Sequence, residues 1–461
     1  MKFTASSYFA ENKQNELEKK MVAEKRKQAG IAFPAPRKQE SLLIVRLDVS
    51  ATDDKKLVIE GLKRLCTLFE QIDKEIIEIE DTSADEAYTY PLSKFNFTAT
   101  VGFGRPFFNK LNLMNKCPKN LYDLPPHYEI GDKAAYVLLQ TDMILQLASS
   151  NYAVNKMVLQ NDNYFRRNKN LVTRELQYLN PAEKDHLSII EAIKGWAKIV
   201  DTHTGFHRAD GKNLMGFYDG ISNPYRLANN NIWISEDEGG MKLESGTYMV
   251  FQKIEHNLNE WNKLSTQEQE KWVGRSKSTG LLLGTLSPAE EKRFVSDLYS
   301  ADQSRQNQAR ARLSKLFDEQ RDPTKNFFDS FDIRYMNIDK NCLQSSHARR
   351  TNPRKSSGRE KLIFRRGCLY MEESFTECPK SGILFISFQN DIKIFEALKR
   401  NIAKHLSSYE ETEDSQGTVK YHDKMIIAKS SFDTLTLGGG YYFIPAIQGK
   451  RISDIGQQFF V

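Results

Sequence analysis

Two stretches of this 461-residue chain combine side chains that are costly to place with spacings that could do chemistry: NLMGFYDGISNP at residues 213–224 and CLQSSHARRTNPR at residues 342–354. In the first, Gly216 and Gly220 bracket Asp219 in a GxxDG pattern. Glycine tolerates backbone angles that other residues avoid, so the pattern predicts a tight bend holding a carboxylate rigidly. Asp-Gly is also a common turn, and the pattern alone is weak. In the second, His347 is followed by Arg349, Arg350 and Arg354 and by the turn-forming Asn352 and Pro353. Taken alone, an ordinary histidine in a basic surface loop explains this better than a ligand does. Eighteen residues beyond His347 comes Arg365, followed by Arg366, in IFRRGCLY.

Together the three side-chain types are chemically coherent. A positioned carboxylate can carry a proton from one atom of a substrate to another. A guanidinium is permanently charged and stabilises negative charge that develops as a bond breaks. An imidazole can ligate iron, and a cationic loop beside it would neutralise the two propionates of haem. Other candidates are weaker. His203 and His207 stand at i, i+4 just before GxxDG, yet none of the remaining histidines shows a metal-binding spacing such as HExxH, and surface or structural roles suit them better. Leu384 and Ile386 in GILFISF are candidates to line a pocket, although apolar strand residues are more often plain core. Among 19 tyrosines, including Tyr218 inside the first motif, no single one can be chosen as an electron relay.

From about residue 40 to the C-terminus the chain resembles the dye-decolorising peroxidase family, specifically its larger members with insertions. The resemblance is carried in order by GFYDGISNP, CLQSSHARRTNPR, IFRRGCLY, GILFISFQND and TLTLGGGYYFIPA, with GTYMVFQKIEHNLNEWNKLSTQEQEKWVGRSKSTG similar to the stretch leading into the haem loop. It implies an α+β fold of two ferredoxin-like halves with antiparallel sheets, of the dimeric α+β barrel type, with one haem b per chain held in the second half. By motif position it implies His347 as the proximal iron ligand, Asp219 as the distal acid and Arg365 as the distal arginine, with Arg366 the alternative should the register at RRG be shifted. Arg275 in VGRSK matches a residue that approaches a haem propionate, and Arg349 lies in the same cationic loop as His347. A carboxylate accepting the other N–H of the proximal imidazole is also implied; Asp433 and Asp391 both qualify, with Asp433 favoured, and either is equally a cap or turn residue. The implied substrates are hydrogen peroxide and an organic electron donor such as a dye or phenol. The alternatives are a haem-binding or haem-iron-releasing protein with incidental peroxidase activity, and a different oxidant's decomposition on a related haem fold; the Asp219 and Arg365 pair favours peroxide.

The elements that must position these residues read as two similar halves. Residues 1–38 form a polar arm ending in a turn-like linker, residues 39–238 the first half with the GxxDG motif, and residues 239–461 the second half with the histidine loop. SLLIVRLDV at 41–49 reads as a buried strand, after which Asp53 and Asp54 open a helix with Val58, Leu62, Leu65, Phe69 and Ile72 on one face. Residues 96–104 and 134–142 read as further strands of the first half. In the second, GTYMVFQKI, GILFISF and GGGYYFIPA are strands, Ser265 with Glu268 predicts a capping box, and Phe395, Leu398, Ile402 and Leu406 share a helical face. The charged segment 287–330 reads as a helical insertion on the surface, and the final ISDIGQQFFV as a tail docked on its own body.

Composition sets the outer limits. Apolar residues at 39% and charged residues at 27% describe a folded globular chain. A net charge of +6 on 66 basic and 60 acidic side chains, interspersed, argues against a nucleic-acid partner, and no run is long and apolar enough for a membrane span. The five cysteines form no CxxC pair and the first residues lack a secretory signal, so a reducing, cytoplasmic setting is expected. The resemblance and the prevalence of symmetric assemblies leave a homo-oligomer open.

Overall fold

SLLIVRLDV becomes strand β1 (Ser41–Val49), buried along nearly its whole length. It is apolar throughout rather than alternating because both of its faces are covered. A computed structural model describes residues 27–28, 30–31, 39–50, 53–81, 96–124, 138–160, 188–221, 223, 232–238, 241–321, 346–351, 363–372, 380–404, 434–447 and 454–460. After β1 come α1 (Lys55–Asp81), β2 (Thr98–Phe103), β3 (Met143–Ser149), α2 (Tyr152–Gln160), α3 (Ile189–Ile193) and β4 (Ala197–Phe206). Next are β5 (Thr247–His256), α4 (Thr266–Val273), α5 (Pro288–Leu298), α6 (Gln303–Arg321) and α7 (His347–Thr351). The last elements are β6 (Phe364–Arg365), β7 (Cys368–Glu372), β8 (Lys380–Gln389), α8 (Ile392–Lys404) and β9 (Thr434–Ile444).

Strand pairing explains the architecture. The first four strands lie in the order β4-β1-β3-β2, and the second set in the order β9-β5-β8-β7, all antiparallel. The two sets thus repeat one ferredoxin-like order. Phe103 pairs with Phe443 and Phe206 with Leu369, so β2 joins β9 and β4 joins β7, and the sheets close into a barrel. The fold is therefore α+β with an antiparallel barrel, in agreement with the expected class. Ile44, Ile144, Phe251, Ile386 and Tyr442 fill the interior. On the outside, Val58, Leu62, Leu65 and Phe69 of α1 and Phe395 of α8 pack against Leu43, Val45, Leu145 and Val250 on the other sheet face.

Three expectations need adjustment. The strand expected at residues 134–142 is found one element later: among its described residues only Leu138 makes a bridge, to Gly438, while MILQLAS at β3 pairs with β1 and β2. The N-terminal stretch does not stop being part of the body at residue 38. Gln28 bonds the backbone of Val101 and Pro445, and Ile31 is fully buried in the barrel interior. These are backbone groups at a barrel end, and a glutamine carboxamide satisfies them as a strand would. Third, α5 and α6, read as surface helices, bury Phe294, Leu298, Leu313 and Phe317 against Ile221 and Leu281. Residues 322–330 of that segment, Leu406 and the side chain of Ile402 lie outside the described set.

The C-terminal tail folds onto the first half, where Phe459 meets Phe103 at 5.1 Å and Phe108 at 4.9 Å between ring centroids. Phe459→Ala removes a ring that is 3% exposed and is expected to lower stability by about 3–5 kcal/mol in urea titrations. A change below about 1 kcal/mol would show that the tail is not docked.

Candidate active site

The GxxDG segment is a loop between β4 and β5, built from local backbone and side-chain hydrogen bonds that close on themselves. Phe217 N–H donates to Asn213 Oδ1 at 3.0 Å, Asn213 N–H to Phe217 O at 2.7 Å, and Asp219 N–H to Gly211 O at 3.2 Å. Gly216 and Gly220 take φ of +89° and +76°, the left-handed region where a side chain would be strained. A Cβ on Gly216 would also stand 3.2 Å from Lys277 Nζ. Beneath the loop, Trp261 stacks edge-on against Phe217 and donates its ring N–H to Met215 O at 3.3 Å. The Asp219 carboxylate accepts the Gly220 N–H at 2.6 Å and reaches outward.

Arg365 comes to Asp219 through a second anchor. Asn223, at the end of the same loop, donates to Arg365 O at 2.8 Å and accepts from Arg365 N–H at 3.1 Å. These two bonds add the loop to strand β6 as a further strand would. The Arg365 guanidinium then lies 3.7 Å from the Asp219 carboxylate, both side chains partly exposed at 31% and 41%. An ion pair that open to water contributes about 1 kcal/mol or less, so the carboxamide clamp positions the two groups more than their attraction does. Arg366 points the other way, into the barrel, where it donates to Ile31 O at 2.9 Å and bonds Gln39. It holds the N-terminal stretch and does not face Asp219.

His347 opens the short helix α7, which packs against α8 and α4. Its Nδ1 is enclosed, and the side chain is half-buried. Loop 274–282 ties this turn to the GxxDG loop. At one end a Cβ on Gly274 would strike Ser346 Oγ and meet Ala348 Cβ at 3.4 Å; at the other, a Cβ on Gly280 would stand 2.8 Å from Ile221 and 3.0 Å from Tyr218. Arg275, 8% exposed, spans the loop by donating to Gly280 O at 2.7 Å. Glu291 of α5 holds the loop from outside by accepting from Ser278 and Thr279 at 3.1 and 3.2 Å. The side chain of Arg349, and all of Asp433, Arg354, Asn352 and Pro353, lie outside the described residues. Asp391 accepts the Lys393 N–H at 2.9 Å and caps α8, the turn role weighed for it.

The sheet face beneath these groups follows from register. Arg365 pairs with Ser387, and Gln252 with Phe385, so Arg365, Ser387, Phe385 and Gln252 share the face toward α8. Leu384 and Ile386 point into the barrel and are fully buried there, so neither lines a pocket on the Arg365 side. Ile383 and Phe385 project to that side instead. Both are only partly buried, although β8 is flanked on both sides by paired strands. Half-covered apolar side chains at the centre of a sheet, with Arg365 and Asp219 beside them and the His347 turn on the helix packed above, suit a flat apolar group carrying a metal and an anionic edge. Asn223, Phe385 and Gln252 were not singled out from the sequence; strand alternation through GILFISF and GTYMVFQKI is the signal that could have found Phe385 and Gln252.

Two ferredoxin-like sets closed into an antiparallel barrel, with Asp219 and Arg365 paired beside one sheet, define an α+β barrel class of protein. Residues 28–167 match the N-terminal domain of the Dyp-type peroxidases and residues 210–448 match their C-terminal domain. The chain belongs to the Dyp-type peroxidase family, a class of peroxide-dependent oxidoreductases. Among curated relatives, a dye-decolorizing peroxidase of Rhodococcus erythropolis is 33% identical over 89 residues, 19% of this chain and 26% of that protein. A deferrochelatase of Yersinia pestis is 24% identical over 384 residues, 79% of this chain and 72% of the relative. Among solved structures, DtpA from Streptomyces lividans in an oxyferrous/water mixed complex superposes with a TM-score of 0.57 at 21% identity, covering 96% of this chain and 100% of that one. A DyP-type peroxidase from Streptomyces coelicolor superposes at 0.56 and 20% identity, over 93% and 94% of the two chains.

Two outcomes follow from this geometry. Asn223→Ala deletes both clamp bonds and is expected to cost about 1–3 kcal/mol in denaturant titrations, with faster hydrogen exchange at the Arg365 amide; unchanged exchange there contradicts the clamp. Burial pushes His256, at the end of β5, down to about 4 from 6.5. Between those values the unfolded chain binds a proton that the folded chain refuses, so cofactor-free protein loses stability as pH falls from about 6.5 toward 4. His256→Leu flattens that slope, and equal slopes in the two proteins overturn the assignment.

Proposed function

We propose that this chain is a haem peroxidase that reduces hydrogen peroxide at the expense of a bulky organic donor such as a dye or phenol, with one haem b seated between the His347 turn and the sheet face bearing Arg365. The observation that carries the reading is the convergence of Asp219 and Arg365, 3.7 Å apart, on the only partly covered side of β8. His347 would hold the iron, and Arg275, with Arg349 in the same cationic loop, would meet the carboxylate edge. Haem, when bound, supplies the iron at which peroxide is activated and stores the oxidising equivalents.

The protein's own groups then divide the proton and charge work. Asp219 takes the proton from one peroxide oxygen and returns it to the other as the O–O bond breaks, a transfer that depends on position before basicity. The bend at Gly216 and Gly220 gives it that position. Arg365 lies against the departing oxygen and stabilises its developing negative charge, held in place through its backbone by Asn223. Ile383 and Phe385 keep the hollow apolar and limit water. Cys66, Cys117 and Cys368 are free and buried, which suits a reducing, cytoplasmic setting. No helix among the described residues is long and apolar enough to cross a membrane.

The deferrochelatase relative favours a second reading, a protein that binds haem for its iron and reduces peroxide only incidentally. Steady turnover separates the two, because a carrier bleaches after few cycles. In rapid-mixing experiments on haem-loaded protein, Asp219→Asn is expected to slow the reaction with peroxide by roughly 10²–10⁴-fold and Arg365→Leu by roughly 10²–10³-fold, with haem still bound. Wild-type rates in both variants would remove the pair from the mechanism and leave the carrier reading.

A further inference from the structure

The face of β5 that adjoins Phe385 carries two polar side chains that the mechanism above does not use. Gln252 is fully buried, and neither its carboxamide oxygen nor its nitrogen finds a hydrogen-bond partner among the described residues. The enclosed Nδ1 of His256 also finds none. The β5–β8 register runs unbroken from Tyr248 to Glu255, so Gln252, Ile254 and His256 project from one side, the side of Phe385, Ile383 and Arg365. The odd-numbered neighbours Met249 and Phe251 fill the barrel instead.

An unsatisfied carboxamide at the centre of a sheet is a standing cost to the folded chain, since a leucine of similar shape would bury more comfortably. Buried polar atoms normally have partners, and where they lack one in the protein alone the missing partner is commonly a ligand or an ordered water. On the proposed haem reading both orphan groups lie on the sheet face assigned to the cofactor; their backbone positions are about 13 Å apart along the strand, a separation that the two long side chains can narrow toward the two carboxylates of one haem edge.

We propose that Gln252 and His256 are cofactor-binding residues, each donating a hydrogen bond to the carboxylate-bearing edge of haem. This rests on the haem reading above. On that reading, the two side chains destabilise the cofactor-free chain and are satisfied when haem is bound, adding carboxylate contacts to those of Arg275. Gly439, which pairs with Gln252 from the other side, has φ of +154° and would drive a Cβ into the Phe251 carbonyl, so the neighbouring strand presses closely here and offers no side chain to Gln252.

The test compares two probes, haem and haem dimethyl ester, titrated by Soret absorbance into cofactor-free wild type, Gln252→Leu and His256→Leu, with heat denaturation of each protein before loading. The inference expects both variants to be at least as heat-stable as wild type without cofactor and to bind haem roughly 10- to 100-fold more weakly. It also expects the preference for haem over its ester to shrink. Unaltered haem affinity in both variants overturns it, as does an undiminished preference for the free acid. A cofactor-free Gln252→Leu that melts well below wild type also overturns it, because the carboxamide then has a structural partner. Failure of wild type to bind haem at all would reject the haem reading itself, a result separable from the others.

Discussion

The pairing of Phe364 with Phe388 and of Arg365 with Ser387 decides which arginine meets the acid. Strand side chains alternate, so a slip of one residue in this two-residue strand would exchange Arg365 for Arg366 and turn the site inside out. Two independent contacts fix the register. On the outer side Asn223 bonds both backbone groups of Arg365, and on the inner side Arg366 reaches Ile31 and Gln39. Adjacent arginines are thereby given opposite tasks, one beside Asp219 and one fastening the N-terminal stretch within the barrel.

Loop 274–282 links the His347 turn to the GxxDG loop. It touches the residues flanking His347 at one end and those flanking Asp219 at the other, and Arg275 braces it across the middle. The helical pair α5 and α6 presses on the same point through Ile221 and Leu281. What looks in sequence like a surface insertion therefore backs the loop that carries the acid. The GxxDG motif depends on this support, since its own bonds are local and its ion pair with Arg365 is open to solvent.

Much of this was legible in the residues. Gly216 and Gly220 announced a bend and have the positive φ that such a bend requires. Ser265 and Glu268 form their capping box, and β5, β8 and β9 fall where apolar runs bounded by turn residues placed them. Other features were hidden for physical reasons. MILQLAS at β3 has no punctuation separating it from the preceding AAYVLLQTD, so the apolar run alone does not fix which segment pairs as the strand. Leu384 and Ile386 fall on plain core, the commoner role for apolar strand residues; alternation separates them from Phe385, and pairing with β6 shows that Phe385 is the one on the Arg365 side. Gln28 and Ile31 read as linker because a single glutamine satisfying strand backbone leaves no periodic trace.

The account rests on an iron held by His347 opposite Asp219 and Arg365, and absorption spectroscopy of haem-reconstituted wild type beside His347→Ala tests it most directly. The account predicts a Soret band characteristic of a histidine-ligated ferric haem in the wild type, which is lost or shifted in His347→Ala and restored by adding imidazole to the variant. An unchanged spectrum in His347→Ala would contradict it, placing the iron ligand on another residue and the hollow elsewhere in the fold.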